Sequence, residues 1–258
     1  VVVFDTETTG LFNYEFSLPL ENVRDHPSAF PYMVQFGSAT IDTYTHTLLS
    51  TADILVKIPD PDVMTDEAEK THKISRFTSF HYGIQPFTAM ARIMSILSLG
   101  DVHVGHNVSY DLSILLVMCM RLKLGMLGMC TRNRERQIDE YINKLRHWGP
   151  NMYCTARSTS DLCKIPRFTL NSTQEKNLKN LIYTKYRFPK LPKLHHHLFG
   201  VTPLSLHDAL HDVLITVRCF MQLVHYIDIY EADQMFQKLY TKLLPTADML
   251  AELDRTEK

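Results

Sequence analysis

The sequence predicts one α/β domain, a central sheet flanked by helices, and three observations carry that expectation. An apolar run, Val1 to Phe4, opens the chain and ends in Asp5. A strand buried on both faces reads this way. Two β-rich stretches, Val34 to Ile41 and Thr47 to Ile58, flank the turn-forming Asp42-Thr43-Tyr44-Thr45, which is the pattern of a hairpin. Further along, short apolar runs alternate with segments of helical period, as strands and helices do in a layered domain. With 258 residues, 45% hydrophobic and 21% charged, the chain has material for one soluble core with extensions.

The elements follow in order. Thr8-Thr9-Gly10 turns the chain out of the first strand. Residues 11–30 carry Asn13, Pro19, Asn22, Asp25 and Pro27 without a period, which predicts a loop insertion. Thr65 to His72 predicts a short capped helix with Asp66 and Glu67 at its positive end. Gln85 to Leu99 predicts a second helix, Asp101 to Gly105 a short strand, and Tyr110 to Lys123 an apolar helix capped by Ser109. Charges crowd residues 125–150, yet Ile138, Tyr141, Ile142 and Leu145 share one stripe, so an inserted amphipathic helix is expected. Tyr153 to Thr155 predicts a strand and Lys190 to Gly200 a helix. A final long helix is expected from about His207, with Leu210, Val213, Leu214, Val217, Met221 and Val224 as its buried face. The economical division is one domain over 1–230, with inserts near 11–30, 125–150 and 165–190, and a helical C-terminal extension over 231–258.

Composition narrows the function. A formal net charge of −1 excludes a diffuse polyanion binder, so any grip on nucleic acid must be local and metal-assisted. The five cysteines are odd in number and form no CxxC. That argues for reduced, intracellular thiols and against a disulfide frame or zinc site. His195-His196-His197 falls in a helical pattern, where ordinary surface and core roles account for it. No apolar run reaches membrane-spanning length. Val1 stands inside the first strand without a preceding Met, which leaves room for a leader or a partner domain upstream.

The chemistry lies in four acids and a histidine. Asp5 and Glu7 are two apart on a strand and share a face. Asp111 falls in the first turn of a helix after Gly105-His106-Asn107, at a strand end where α/β sheets favour ligands. An acid in that position alone would be explained by the helix dipole. In the last helix Asp208 sits where a cap is needed, whereas Asp212 flanks the buried stripe and capping does not explain it. Carboxylates gathered from distant segments repel each other and resist desolvation. Divalent cations with oxygen ligands relieve both penalties and are the equipment of two-metal phosphodiester hydrolysis.

Three motifs carry a family resemblance. Phe4-Asp5-Thr6-Glu7-Thr8-Thr9-Gly10, Gly105-His106-Asn107-Val108-Ser109-Tyr110-Asp111 and His207-Asp208-Ala209-Leu210-His211-Asp212 resemble, in order, the three motifs of the DEDDh, or DnaQ-like, 3′–5′ exonucleases. Pro31 to Gly37 and Lys190 to Gly200 also look familial, so the likeness runs from Val1 to about Met221. It implies a ribonuclease H-like fold, a mixed central β-sheet flanked by α-helices. It implies that Asp5 bridges two Mg²⁺ or Mn²⁺ ions, that Glu7 and Asp212 complete the first ion's site, and that Asp111 helps hold the second. His207 becomes the general base, since His211 does not fit the family's five-residue offset to the last acid. Thr8 and Leu11 would meet the terminal nucleotide, with simple packing an equal account of Leu11. The implied ligand is a single-stranded or frayed 3′ end, with DNA preferred to RNA, and a polymerase or replication partner is a further expectation. The basic and aromatic residues from Lys176 to Lys193 read either as a track for a single strand or as a solvated loop.

Overall fold

In the computed structural model, residues 1–13, 20–166, 186–204 and 207–244 are described. The stretch Lys176 to Lys185 and the tail beyond Leu244, for which a strand track and a helical extension are expected, lie outside them. Five strands form one sheet: β1 (Val2–Thr8), β2 (Met33–Asp42), β3 (Thr47–Leu55), β4 (His103–Gly105) and β5 (Tyr153–Cys154). Their order is β3-β2-β1-β4-β5. The β1–β2 and β2–β3 pairs are antiparallel, whereas β4 pairs in parallel with β1 and β5. The sheet is therefore mixed, as the resemblance implied.

The helices are α1 (Leu20–Asp25), α2 (Asp66–His72), α3 (Arg76–Tyr82), α4 (Pro86–Leu97), α5 (Ser109–Lys123), α6 (Arg132–Trp148), α7 (Thr155–Ser158), α8 (Ser160–Cys163), α9 (Leu191–Phe199), α10 (Ala209–Phe220), α11 (Ile229–Ala232) and α12 (Gln234–Leu243). Side chains alternate across β1. Val2 and Phe4 enter a core built with α4, α5 and α6, and Val3 enters one built with α9, α10 and α12. The stripe of α6 is buried as its spacing demands, through Ile138, Tyr141, Ile142 and Leu145. Ile229, Phe236, Tyr240 and Leu244 close the second core, so the chain through Leu244 packs on the domain. No helix among the described residues is long and apolar enough to cross a membrane.

Four local expectations need correction. Residues 11–30 are not all loop: Leu20–Asp25 is helical, with Val23 buried against Val117 and Met120 of α5. Ser109 does not cap α5. Val108 is already helical in φ and ψ, Asn107 makes the turn at φ 67°, and Ser109 is the first helical residue. Thr155 starts α7 instead of ending β5. The last helix begins at Ala209 and passes into a π-helical turn over Met221–His225. That wider turn breaks the i, i+3, i+4 register, which explains why Val224 is 40% exposed.

Arg121 of α5 fastens the loop that leads into β2. Its guanidinium is buried, donates to the carbonyls of Pro31 (2.7 Å), Pro27 (2.8 Å) and Phe30, and stacks on Tyr32. Among the described residues no acid pairs with it, and burial lowers its pKa to about 10. Tyr32 in turn exchanges hydrogen bonds with Thr9, its N–H donating to Thr9 Oγ1 and its carbonyl accepting from Thr9 N–H, both at 2.9 Å.

The start of α10 rests on β2 at Gly37, which lies opposite Asp5 in the β1–β2 register. A Cβ on Gly37 would fall 2.4 Å from the carbonyl carbon and 2.5 Å from the oxygen of Ala209, and 2.6 Å from Leu210 N. These are backbone atoms and cannot rotate away. Gly37→Ala is therefore expected to destabilise the fold by roughly 1–3 kcal/mol, the usual range for overpacking, and to lower hydrolytic activity by shifting α10. Thermal unfolding and a digestion assay on the same preparation check both effects.

Candidate active site

Each sequence-predicted acid is positioned by a different device. Asp5 and Glu7 point to the α10 face of β1. A register shift between Glu7 and Thr8 then bends the strand end and starts the Thr8-Thr9-Gly10 turn. On the other side of β1, β4 pairs only with Val2 and Val3. The Thr6 N–H that β4 leaves free is met by Asp111, whose Oδ1 accepts from Thr6 N (2.9 Å) and Thr6 Oγ1 (2.7 Å). Asp111 is 3% exposed, and these bonds fix the motif on α5 against the motif on β1.

The third motif straddles the start of α10. Asp208 is its cap, with Oδ1 accepting from Leu210 N (3.1 Å) and His211 N (3.2 Å). Asp212 lies in the first turn and points back to the sheet. His207 precedes the helix in a left-handed conformation, φ 65°, and its backbone N–H donates to the Asp212 carboxylate. Donor atoms of Glu7, His207 and Asp212 lie within 4.8 Å of one another. His211 points elsewhere, with its Nε2 4.0 Å from Asp208 Oδ1. The geometry thus groups His207, and not His211, with the acids.

A model of the RNase_T exonuclease family matches residues 2–165. The chain belongs to this exonuclease family. Membership makes it a hydrolytic exonuclease and implies divalent metal ions. Among solved structures, the nuclease domain of 3′hExo, described as a DEDDh family member bound to rAMP, superposes with TM-score 0.55 at 13% identity, over 88% of this chain and 92% of that one. Exonuclease I superposes with TM-score 0.53 at 15% identity, over 93% of this chain and 43% of that one. The zinc-bound complex of E. coli exonuclease I with single-stranded DNA gives 0.51 at 15%, over 93% and 42%. The chain thus spans less than half of exonuclease I. At such identities the likeness is one of fold. No curated protein sequence matches the chain.

The exonuclease holds its acids under strain. Burial raises the pKa of Asp5 well above the carboxylate range, and Asp111, Asp212, Glu7 and Asp208 raise it further by repulsion. Glu7 is pushed up to about 8 by burial and by Asp212 and Asp111. Burial lifts Asp111 to about 7 against the lowering effect of its Thr6 bonds, and lifts Asp212 to about 7 against the His207 N–H. Asp212 Oδ1 is buried and has no hydrogen-bond partner among the described residues. Buried oxygens are seldom left so. An orphaned carboxylate oxygen among mutually repelling acids fits a divalent cation, and the donor set, hard oxygens with one imidazole beside them, suits Mg²⁺ or Mn²⁺.

Glu7 and His207 open on a cleft of about 550 Å³ whose lining also includes Thr8, Leu11, Thr71 and Tyr110. Leu11 is 82% exposed and so is available to a ligand, not used in packing. Thr8 is held inward. Its Oγ1 donates to the Gly10 carbonyl (2.7 Å), and Tyr110 OH reaches both the Thr8 hydroxyl and that carbonyl at 3.0 Å. The sequence reading gave Tyr110 no role, and its position one residue before Asp111 was the only signal. His106 was likewise passed over. Its Nε2 donates to the Pro189 carbonyl and its Nδ1 meets Thr155 Oγ1, both at 2.9 Å. Burial lowers its pKa to about 4, so it ties β4, α7 and the approach to α9 together as a neutral ring.

A pH dependence follows from the raised acids. Each binds its proton more tightly folded than unfolded. The stability this confers is full below the ordinary carboxylate range, about 4, and is lost as pH rises through the folded values of about 7 to 8. The metal-free exonuclease is expected to unfold at progressively lower temperature from pH 5 to pH 8, and Mn²⁺ to reverse that loss. Asp5→Asn, which relieves the burial and repulsion that raise the Asp5 pKa, is expected to raise metal-free stability at pH 8. Thermal unfolding with and without Mn²⁺ measures all three, and a flat metal-free profile would contradict the assignment.

Proposed function

We propose that this exonuclease removes nucleoside monophosphates one at a time from a single-stranded or frayed 3′ end, with DNA preferred to RNA. The observation that carries the reading is the convergence of Glu7, His207 and Asp212, with donor atoms within 4.8 Å, where Glu7 and His207 line an open cleft.

Two divalent cations, Mg²⁺ or Mn²⁺, would when bound activate the attacking water and offset charge on the departing 3′ oxygen. Asp5, Glu7, Asp111 and Asp212 are the residues that would hold them. A ring nitrogen of His207 takes the proton from the attacking water. Burial, with Lys190 and Lys73 nearby, lowers the pKa of His207 from its ordinary value, which keeps the ring neutral and ready to accept a proton at pH 7. Its exposure at the cleft lets the proton leave to solvent. Thr8 and Leu11 seat the terminal nucleotide, with the Leu11 side chain against its base.

The preference for DNA is supported by the likeness to exonuclease I, including its complex with single-stranded DNA. RNA is the second reading, favoured by the likeness to a nuclease domain bound to rAMP. A polymerase or replication partner completes the first reading. Such a partner would find no apolar face on Ile229, Phe236 or Tyr240, which are spent in the core.

Digestion of matched DNA and RNA oligonucleotides with Mg²⁺ and with Mn²⁺ tests the proposal. DNA is expected to shorten from its 3′ end, and a blocked 3′ end to stop it. Cleavage of a circular strand would overturn the exonuclease reading, and faster RNA loss would overturn the substrate preference. His207→Ala is expected to lower kcat by about 10²–10⁴, the usual worth of a general base, and His211→Ala by far less. The reverse order would reassign the base.

A further inference from the structure

Gln35 is a buried polar residue of β2, 4% exposed, that the cleft does not contain and the chemistry above does not use. It lies opposite Glu7 in the β1–β2 register. Its amide is fully engaged. Oε1 accepts from Ala209 N–H at 3.0 Å. Nε2 donates to Asp208 Oδ2 at 3.1 Å and to Asp53 Oδ1 at 2.9 Å. The orientation of the amide is fixed by its partners, because a backbone N–H only donates and an ionised carboxylate only accepts. A side chain at this position must therefore both accept and donate.

The bonds converge on one turn of helix. Asp208 Oδ2 is held by Gln35, its Oδ1 caps α10, and its carbonyl accepts from Asp212 N–H at 2.9 Å. The same turn begins at Ala209, whose N–H Gln35 holds and whose backbone presses on Gly37. It carries Asp212 and is preceded by His207. Helix caps usually act locally, but this one is anchored across the sheet to a residue 173 positions away.

We propose that Gln35 is a positioning residue for the cation-binding acids, acting through Asp208 on the first turn of α10. The inference rests on the cation site of the proposed function. The choice of glutamine has a reason. Lysine or arginine would grip Asp208 more strongly, but would add a positive charge beside acids that must attract cations. A hydrocarbon would leave Ala209 N–H and Asp208 Oδ2 without partners. Glutamine satisfies both and leaves the negative charge of Asp208 acting on the site, at a carboxylate already stabilised by the N-terminus of the helix.

Calorimetric titration of the protein with Mn²⁺, without nucleic acid, tests the idea. Gln35→Leu is expected to weaken Mn²⁺ binding by about 10-fold or more, the usual effect of losing a hydrogen bond that orients a metal ligand. It should also lower kcat at saturating Mn²⁺ more than it changes KM. Gln35→Glu, which cannot donate to Asp208, is expected to weaken binding comparably. The double change Gln35→Glu/Asp208→Asn, made in an Asp53→Asn background so that the new carboxylate does not meet that of Asp53, exchanges donor and acceptor while keeping the cap and the net charge of that background. It should recover Mn²⁺ affinity to within about threefold of the parent, since asparagine caps helices as well as aspartate. This rescue keeps the test open if Gln35→Leu does not fold. A double variant no better than Gln35→Glu, or a folded Gln35→Leu that binds Mn²⁺ like the parent, would overturn the proposal. Asp212→Asn separates the two claims. It should abolish the calorimetric signal, and if it does not, the cation site itself is wrong.

Discussion

Helix α10 approaches strand β2 more closely than any side chain at position 37 would allow, and the rest of the site depends on that approach. Asp5 and Glu7 are fixed by the sheet itself. Asp111 reaches them through Thr6 with two short hydrogen bonds. Asp212 and His207 arrive because Ala209 can lie on Gly37 and Gln35 of the same strand holds the start of the helix. Glycine here is a matter of space, since its backbone is ordinary extended strand.

The gathered acids work against the fold. Each is withdrawn from water and each repels the others, so the protein without cations carries protons that an unfolded chain would release near neutral pH. Two apolar clusters, one on each face of the sheet, supply the opposing stability. The local supports are arranged so as not to neutralise the site. Thr6 and the N-terminus of α10 offer N–H and O–H groups, Gln35 offers an amide, and the site's flanking cations, Lys73 and Lys190, act on His207. The buried Arg121 donates to three carbonyls and braces the loop that leads into β2.

Much of this was legible in the sequence. The acids stand in motifs whose order is specific, and alternation on a strand and spacing on a helix settle which side chains can share a face. The α6 stripe was readable for the same reason, since a period survives even among many charges. The failures have local causes. Ser109 has the chemistry of a cap, but Val108 had already entered the helix. Val224 continues the numerical spacing, but the backbone widens to a π turn beneath it. The roles of Gln35 and Gly37 were invisible for a different reason. Each is defined by a contact with residues more than 170 positions away, and no period or short motif records such a meeting. A preference between deoxyribose and ribose depends on the shape of a pocket, which residue types alone do not encode.

The second apolar cluster also has a bearing on how copies of the chain meet one another. Strand β3 ends the sheet and so offers unpaired backbone groups to any neighbouring strand. At Leu48 that offer is already taken, because the amide donates to Asp233 Oδ2 at 2.6 Å. Asp233 stands between α11 and α12, which the core holds in place, and it brings a negative charge to the rim. The segment that looks in sequence like an appendage therefore serves as a stopper on the open side of the sheet, where an incoming strand would otherwise find its first rung.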